Sequence, residues 1–249
     1  MRMNFIVAVL VFFSCSEPKS VPVVEEETVL TFSTQEFVKN TCIGKSCASV
    51  SFTWPLAKGS DIADRINEAI NKQLLVYFYS DSVAPTFEGQ AQLYLNSYED
   101  FVNKFPDSPG GWSIEVSAKV SYESDSLLSI FFSEFNNSGG AHPNSSQYFM
   151  NFDKITGEYL SSGRVVLDSV KLLQKAEIAF RKFHEIPEGK SLEEQGFFLP
   201  ETGFFLPGAM GYKDGKFWLI YIPYEIGPYV IGYTELEFTP EELEGIVRK

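Results

Sequence analysis

The sequence predicts an α+β fold: an antiparallel sheet packed against two to three helices, in two intimately associated subdomains. Three observations carry this. Helical and strand patterns run in blocks instead of alternating strictly, which separates α+β from parallel α/β architectures. Residues 112–123 alternate Trp112, Ile114, Val116, Ala118, Val120 and Tyr122 with polar neighbours. One wet and one buried face is the mark of an antiparallel strand. Finally, Asp214-Gly215 lies between two apolar runs, a strong short-range hairpin signal. A chain of 249 residues with 23 Phe and 12 Tyr can enclose a sizeable core.

The elements follow in order. Met1-Arg2-Met3-Asn4 gives a short positive start, and Phe5 to Phe13 is an unbroken apolar run ending at Ser14-Cys15. That run falls well short of the roughly 20 residues that span a bilayer and suits a signal peptide. A small residue directly before a Cys is what a lipoprotein signal requires. Residues 1–15 therefore read as a lipoprotein signal ending at an acylated Cys15, although Phe12-Phe13 departs from the usual lipobox. Residues 16–39, with two early prolines and Glu25-Glu26-Glu27, read as a tether.

Cys42 and Cys47 are then the two cysteines left, the number needed for one bridge in an oxidising compartment. They read as a short structural disulfide; a redox pair, with Lys45 lowering a thiol pKa, is the competing reading. Residues 48–54 read as a strand ended by Pro55. A helix follows from Ser60-Asp61 with Ile62, Ile66, Ala69, Ile70 and Leu74 on one face. Residues 81–85 break it, and a second helix runs from about Gln90 through Tyr94, Leu95, Tyr98, Phe101, Val102 and Phe105.

After the alternating strand, residues 127–135 and 146–152 return as strands. Asp168 caps a third helix with Leu172, Leu173, Ala176, Phe180 and Phe183 inward. A Gly/Pro-rich stretch precedes the final hairpin, and Thr239-Pro240-Glu241-Glu242 is a capping box that opens a short closing helix.

Several segments together resemble a known pair of extracellular domains, DUF4163 and DUF3298. Phe131-Phe132-Ser133-Glu134-Phe135 leads into Gly139-Gly140-Ala141-His142. Residues 148–153 and Thr156-Gly157 follow, and Tyr221-Ile222-Pro223-Tyr224-Glu225-Ile226-Gly227-Pro228-Tyr229 stands near the end. The resemblance covers roughly residues 40–247. It implies a DUF4163-like part at 40–135 and a DUF3298-like part at 136–249. Related pairs form the outside of a lysozyme-sensing anti-sigma factor and precede the catalytic domain of a peptidoglycan deacetylase. Neither a sigma-binding segment nor a deacetylase domain is recognisable here. The resemblance therefore implies an envelope module that binds a wall glycan or a lytic enzyme such as lysozyme.

Charge is consistent with that expectation. The formal net charge is −13, and loss of Arg2 with the signal makes it −14. This repels phosphate backbones and argues against a nucleic-acid partner; it favours a basic partner or simply solubility. The expected placement is the bacterial envelope, held to the membrane by lipid.

Candidate ligand-binding residues are His142, Glu134, Asp153, Tyr224 and Glu225. His142 follows two glycines and reads as a turn-lining side chain or as a ligand contact or base. Two histidines in the whole chain support no zinc site, and no metal or cofactor is expected. Glu134, Asp153 and Glu225 are the carboxylates that a glycan hydrolase or deacetylase would need to pair. That enzyme is the alternative to a non-enzymatic module; no Ser or Cys nucleophile motif or phosphate-binding glycine loop is present.

Overall fold

A computed structural model describes residues 29–249 apart from 80, 81, 83, 109 and 141. The signal, Cys15, residues 16–28 and Asp81 lie outside the described residues. The elements are β1 (Thr31–Ile43), β2 (Ser46–Lys58), α1 (Ala63–Val76), α2 (Phe87–Lys104), β3 (Trp112–Glu123), β4 (Leu127–Asn137), β5 (Asn144–Asp153) and β6 (Tyr159–Leu160). They are followed by α3 (Ser162–Val165), α4 (Ser169–Phe183), β7 (Ala209–Lys213), β8 (Lys216–Tyr221) and β9 (Thr234–Phe238). One sheet has the order β1-β2-β3-β4-β5-β6 and the other β7-β8-β9. The α+β class holds.

The large sheet is not wholly antiparallel. β2 and β3 pair in parallel, Val50 opposite Ile114, because α1 and α2 intervene as the crossover that a parallel pair requires. Those helices cover one face of the sheet. Ile66, Ile70 and Leu74 of α1 and Leu95 and Tyr98 of α2 bury against Val50, Phe52, Ile114, Ile130 and Phe132.

Six expectations are corrected. The tether does not reach residue 39, since β1 starts at Thr31, and the boundary expected at 135/136 falls inside β4. Pro55 does not end β2. The two-residue turn at Gly44-Lys45 makes Ile43–Ser46 the hydrogen-bonded closing pair. Counting outward, Pro55 directs its nitrogen toward the β3 side, where pairing has stopped at Thr53, so its missing N–H costs nothing there. Ala57, which points the same way, is served by Asn67. Its N–H donates to Asn67 Oδ1 at 2.8 Å, and its carbonyl accepts from Asn67 Nδ2 at 2.9 Å.

Tyr122 leaves the face shared by Ile114, Val116 and Ala118. A bulge shifts the register from Val120 opposite Ile130 to Tyr122 opposite Ser129, which turns the following side chain to the other face. There Tyr122 stacks on Tyr212 at 4.4 Å. Phe183 is half exposed at the end of α4 instead of facing inward. The capping box forms as expected, with Thr239 N–H donating to Glu242 at 2.7 Å and Glu242 N–H to Thr239 Oγ1 at 3.3 Å. The segment continues as turns, not as a helix.

The three-stranded sheet packs on the face of the large sheet away from α1 and α2. Phe131 and Phe149 meet Ala209 and Ile220 there. β7 is an edge strand, and edges need protection. In the hairpin closed at Lys213–Lys216, Met210 and Tyr212 turn their backbone groups to the open side. Three polar side chains of the large sheet meet them. Ser121 Oγ donates to Tyr212 O at 2.6 Å, and Asn151 Nδ2 donates to Met210 O at 2.8 Å. Tyr212 N–H donates to Ser129 Oγ at 3.4 Å, and Ser129 Oγ donates to Asn151 Oδ1 at 2.6 Å. α4 then closes a second core behind β7–β9 with Leu172, Ala176 and Phe180; its Asp168 cap accepts from Lys171 N–H at 3.0 Å, as expected.

Candidate functional site: an aromatic and amide cleft

Tyr94 and Tyr98, one turn apart on α2, pack against Trp112 with ring centroids 5.8 and 5.6 Å away. Glycines fix the indole's surroundings. A Cβ on Gly111 would lie 2.1 Å from the carbonyl oxygen of Cys47, so only glycine lets β3 start so close to β2. Gly139, at φ +78°, brings the β4–β5 loop against the Trp112 indole nitrogen. The disulfide between Cys42 and Cys47, with Cα atoms 4.0 Å apart, holds the hairpin tip beside this point.

The apolar row of β4 that faces the helices (Leu128, Ile130, Phe132) gives way to Glu134 and then Asn136. Asn136 pairs across the strands with Asn144. Here a cleft of about 650 Å³ opens between the sheet, α2 and the segment after α1. Phe78, Tyr79, Tyr94, Trp112, Asn136 and Asn144 line it, and the remaining lining residues are serines. Rings of this kind offer flat apolar faces, and the amides offer donors and acceptors.

Glu134 stands one same-face pair further along β4 and β5, opposite Ser146. It is only 2% exposed. Its Oε2 accepts from Tyr79 Oη at 2.9 Å and from Ser146 Oγ at 2.6 Å, whereas Oε1 is buried without a hydrogen-bond partner. Burial pushes the carboxyl above the usual carboxylate range, against the two hydrogen bonds. Tyr79 forms the wall between Glu134 and the cleft. It is 63% exposed and sits at φ +47°, a conformation uncommon for a non-glycine residue.

On the far side of the β4–β5 loop, His142 stacks on Tyr229 at 4.1 Å, and its Nε2 lies 3.0 Å from Tyr224 Oη. Tyr229 Oη donates to Pro143 O at 3.2 Å, tying the β8–β9 loop to this hairpin. Tyr224 has φ +71° and is exposed. His142 and Tyr224 thus come together, next to but not within the cleft.

Asp153 and Glu225 are committed inside the fold. Asp153 Oδ1 accepts from the Ile155 and Thr156 N–H groups, and Oδ2 pairs with Arg248 at 2.6 Å. Burial opposes its charge but is outweighed by the bonds from Thr156, Arg248 and Ile155, so its pKa falls. Glu225 accepts from Gly208 N–H at 2.7 Å and Ile222 N–H at 3.0 Å; burial nevertheless raises its pKa. Seven residues of β5 separate the partner of Glu134, Ser146, from Asp153. At about 3.3 Å per residue this is roughly 23 Å, beyond the 9.5 Å or so that an inverting pair spans. Glu225 belongs to the three-stranded layer, across the sheet from Glu134. The three carboxylates do not form a pair.

The second histidine, His184, caps α4 among Phe180, Phe183 and Phe197 and contacts Thr234 Oγ1 at 2.8 Å. Burial lowers its pKa. Among the described residues, no three His, Cys, Asp or Glu side chains converge as metal ligands. No helix among them is long and apolar enough to cross a membrane.

The sequence points to Glu134, His142 and Tyr224 but not to Tyr79, Asn136 or Asn144. Trp112 and Tyr94 read there only as core positions. A run of two Asn near a Gly-Gly turn is the one signal in the sequence that marks the hairpin end.

Residues 43–145 match the family model described as deacetylase PdaC. No curated protein matches the chain. Among solved structures, a DUF3298 family protein from Pseudomonas aeruginosa PAO1 superposes with TM-score 0.65 at 21% identity, covering 88% of this chain and 95% of its own. A DUF3298 family member from Bacteroides fragilis NCTC 9343 superposes with TM-score 0.70 at 16% identity, covering 90% and 95%. The chain therefore has the fold of the DUF3298 family structures, and the segment matching the PdaC model contains every residue that lines the cleft.

Proposed function

We propose that this protein is a non-enzymatic binding module of the bacterial cell envelope, lipid-anchored through Cys15, whose cleft seats a wall glycan. The observation that carries the reading is the cleft itself: Tyr79, Tyr94 and Trp112 beside the Asn136–Asn144 pair, with no charged side chain among its described lining residues. Sugars present apolar faces and hydroxyl edges, and aromatic rings with amides meet both. The disulfide at Cys42 and Cys47 suits an exported protein. The hydrolase alternative loses support because its carboxylates lie apart or are tied to backbone groups.

Calorimetry of the purified protein against peptidoglycan fragments and N-acetylglucosamine oligomers tests the reading. Saturable binding that weakens about tenfold, or roughly 1.4 kcal/mol, in Asn144→Ala and Tyr79→Ala is expected. Binding unaltered in both variants would move the site elsewhere, and turnover of the glycan would overturn the non-enzymatic assignment. The acidic body, at −13 overall, also favours a basic lytic enzyme as partner, so lysozyme belongs in the same titration. Fractionation tests the anchor: Cys15→Ala should move the protein out of the membrane fraction.

A further inference from the structure

We propose that the cleft selects a glycan bearing a protonated amine, an amino sugar without its N-acetyl group, with the Glu134 carboxylate as counter-ion. This rests on the glycan reading above and narrows its substrate class.

A carboxyl that is 2% exposed, with one oxygen lacking any partner, is costly to keep in a core. Among the described residues no cation compensates its charge. The groups facing Glu134 are Tyr79 and Tyr77 after α1, Ser146 on β5 and, at longer range, Tyr233 before β9. None is cationic, and its β3 neighbour across the strands is Val116. An incoming ammonium would supply the missing donor and the missing charge together. Aromatic faces attract the same group, and the Tyr79 ring stands beside the carboxyl, while Tyr94 and Trp112 in the adjoining cleft are left to face the sugar rings. An N-acetyl group offers an amide N–H but no charge, so the carboxyl gains less from it.

Tyr79 is the gate. Its hydroxyl holds the segment after α1 against Glu134 through one hydrogen bond. Its side chain is otherwise exposed, whereas its backbone N–H bonds back to Val76 O at 3.2 Å and Gln90 holds Ser82 and Ala84 further on. Displacing that hydroxyl opens Glu134 to the cleft, where the Asn136–Asn144 pair lies two residues along each strand, about 7 Å away.

The test compares glucosamine oligomers with N-acetylglucosamine oligomers of equal length by calorimetry. The purified protein should bind the amine form at least tenfold more tightly at neutral pH, and Glu134→Gln should equalise the two. Tyr79→Phe, which keeps the carboxyl and leaves Oε2 bonded to Ser146 alone, should retain the preference. In the unsubstituted protein the preference should shrink as pH falls. Acid only adds protons to the amine, so that loss reports protonation of the carboxyl, and it decides the matter should Glu134→Gln fail to fold. Equal binding of both oligomers, or a preference that survives Glu134→Gln or acidification, overturns the amine assignment and leaves the glycan reading standing. Binding of neither oligomer nor peptidoglycan fragments overturns both.

Discussion

Asn151→Ala probes how the second sheet is held, because Asn151 is 4% exposed and bridges the two layers. Its amide donates to Met210 O on the edge of β7 and its carbonyl accepts from Ser129 Oγ. Alanine removes both bonds and leaves their partners buried. Each stranded polar group costs about 1–3 kcal/mol, and Ser129 keeps only the long contact with Tyr212 N–H. A total loss of about 2–4 kcal/mol is expected. For a folded body of this size that lowers Tm by roughly 5–15 °C. Urea unfolding followed by tryptophan fluorescence measures it, and a double-mutant cycle with Ser129→Ala should return a coupling of at least about 0.5 kcal/mol. A loss below about 0.5 kcal/mol for Asn151→Ala would refute the claim that these side chains close the β7 edge.

Three further outcomes follow from the same geometry. Gly211→Ala places a Cβ 2.6 Å from the Phe149 ring; overpacking of that kind costs about 1–3 kcal/mol, measurable by the same unfolding assay. Glu134→Gln should stabilise the protein at neutral pH. Burial raises the folded-state pKa, so the native state binds the proton more tightly than the unfolded chain, and ionisation destabilises it as pH rises above the unfolded value of about 4.3. The Tm advantage of Glu134→Gln should grow from pH 4 to 7; a constant difference would contradict it. Replacing Cys42 and Cys47 by serine should cost about 2 kcal/mol, the loop-closure entropy of so short a loop.

Regular repeats were legible in the sequence, and local breaks in them were not. The alternation from Trp112 to Val120 places β3 and its faces correctly, but nothing in the residues marks the bulge that turns Tyr122 away. β1 escaped notice because most of its side chains are exposed or half-buried, so burial leaves little apolar alternation to read. Pro55 reads as a terminator until one knows that its side of β2 has no partner. The capping box at Thr239 signals its two hydrogen bonds, but the chain after it buries Leu243, Ile246 and Val247 through turns. For the site, Glu134, His142 and Tyr224 stood out by residue type. The cleft did not, because it exists only once α2 lies on β3 and the segment after α1 meets the end of β4. Trp112 and Tyr94 carry ordinary core periodicity until that packing leaves them facing a gap.

Trp112 also gives the central claim its most direct measurement. The chain has three tryptophans, and Trp54 and Trp218 lie elsewhere, beside Phe87 and Lys213. In a Trp54→Phe, Trp218→Phe variant the emission reports the cleft alone. Titration with a glucosamine or N-acetylglucosamine oligomer should give a saturable change in intensity that Asn144→Ala weakens. A ligand that binds by calorimetry yet leaves Trp112 emission unchanged would contradict the account.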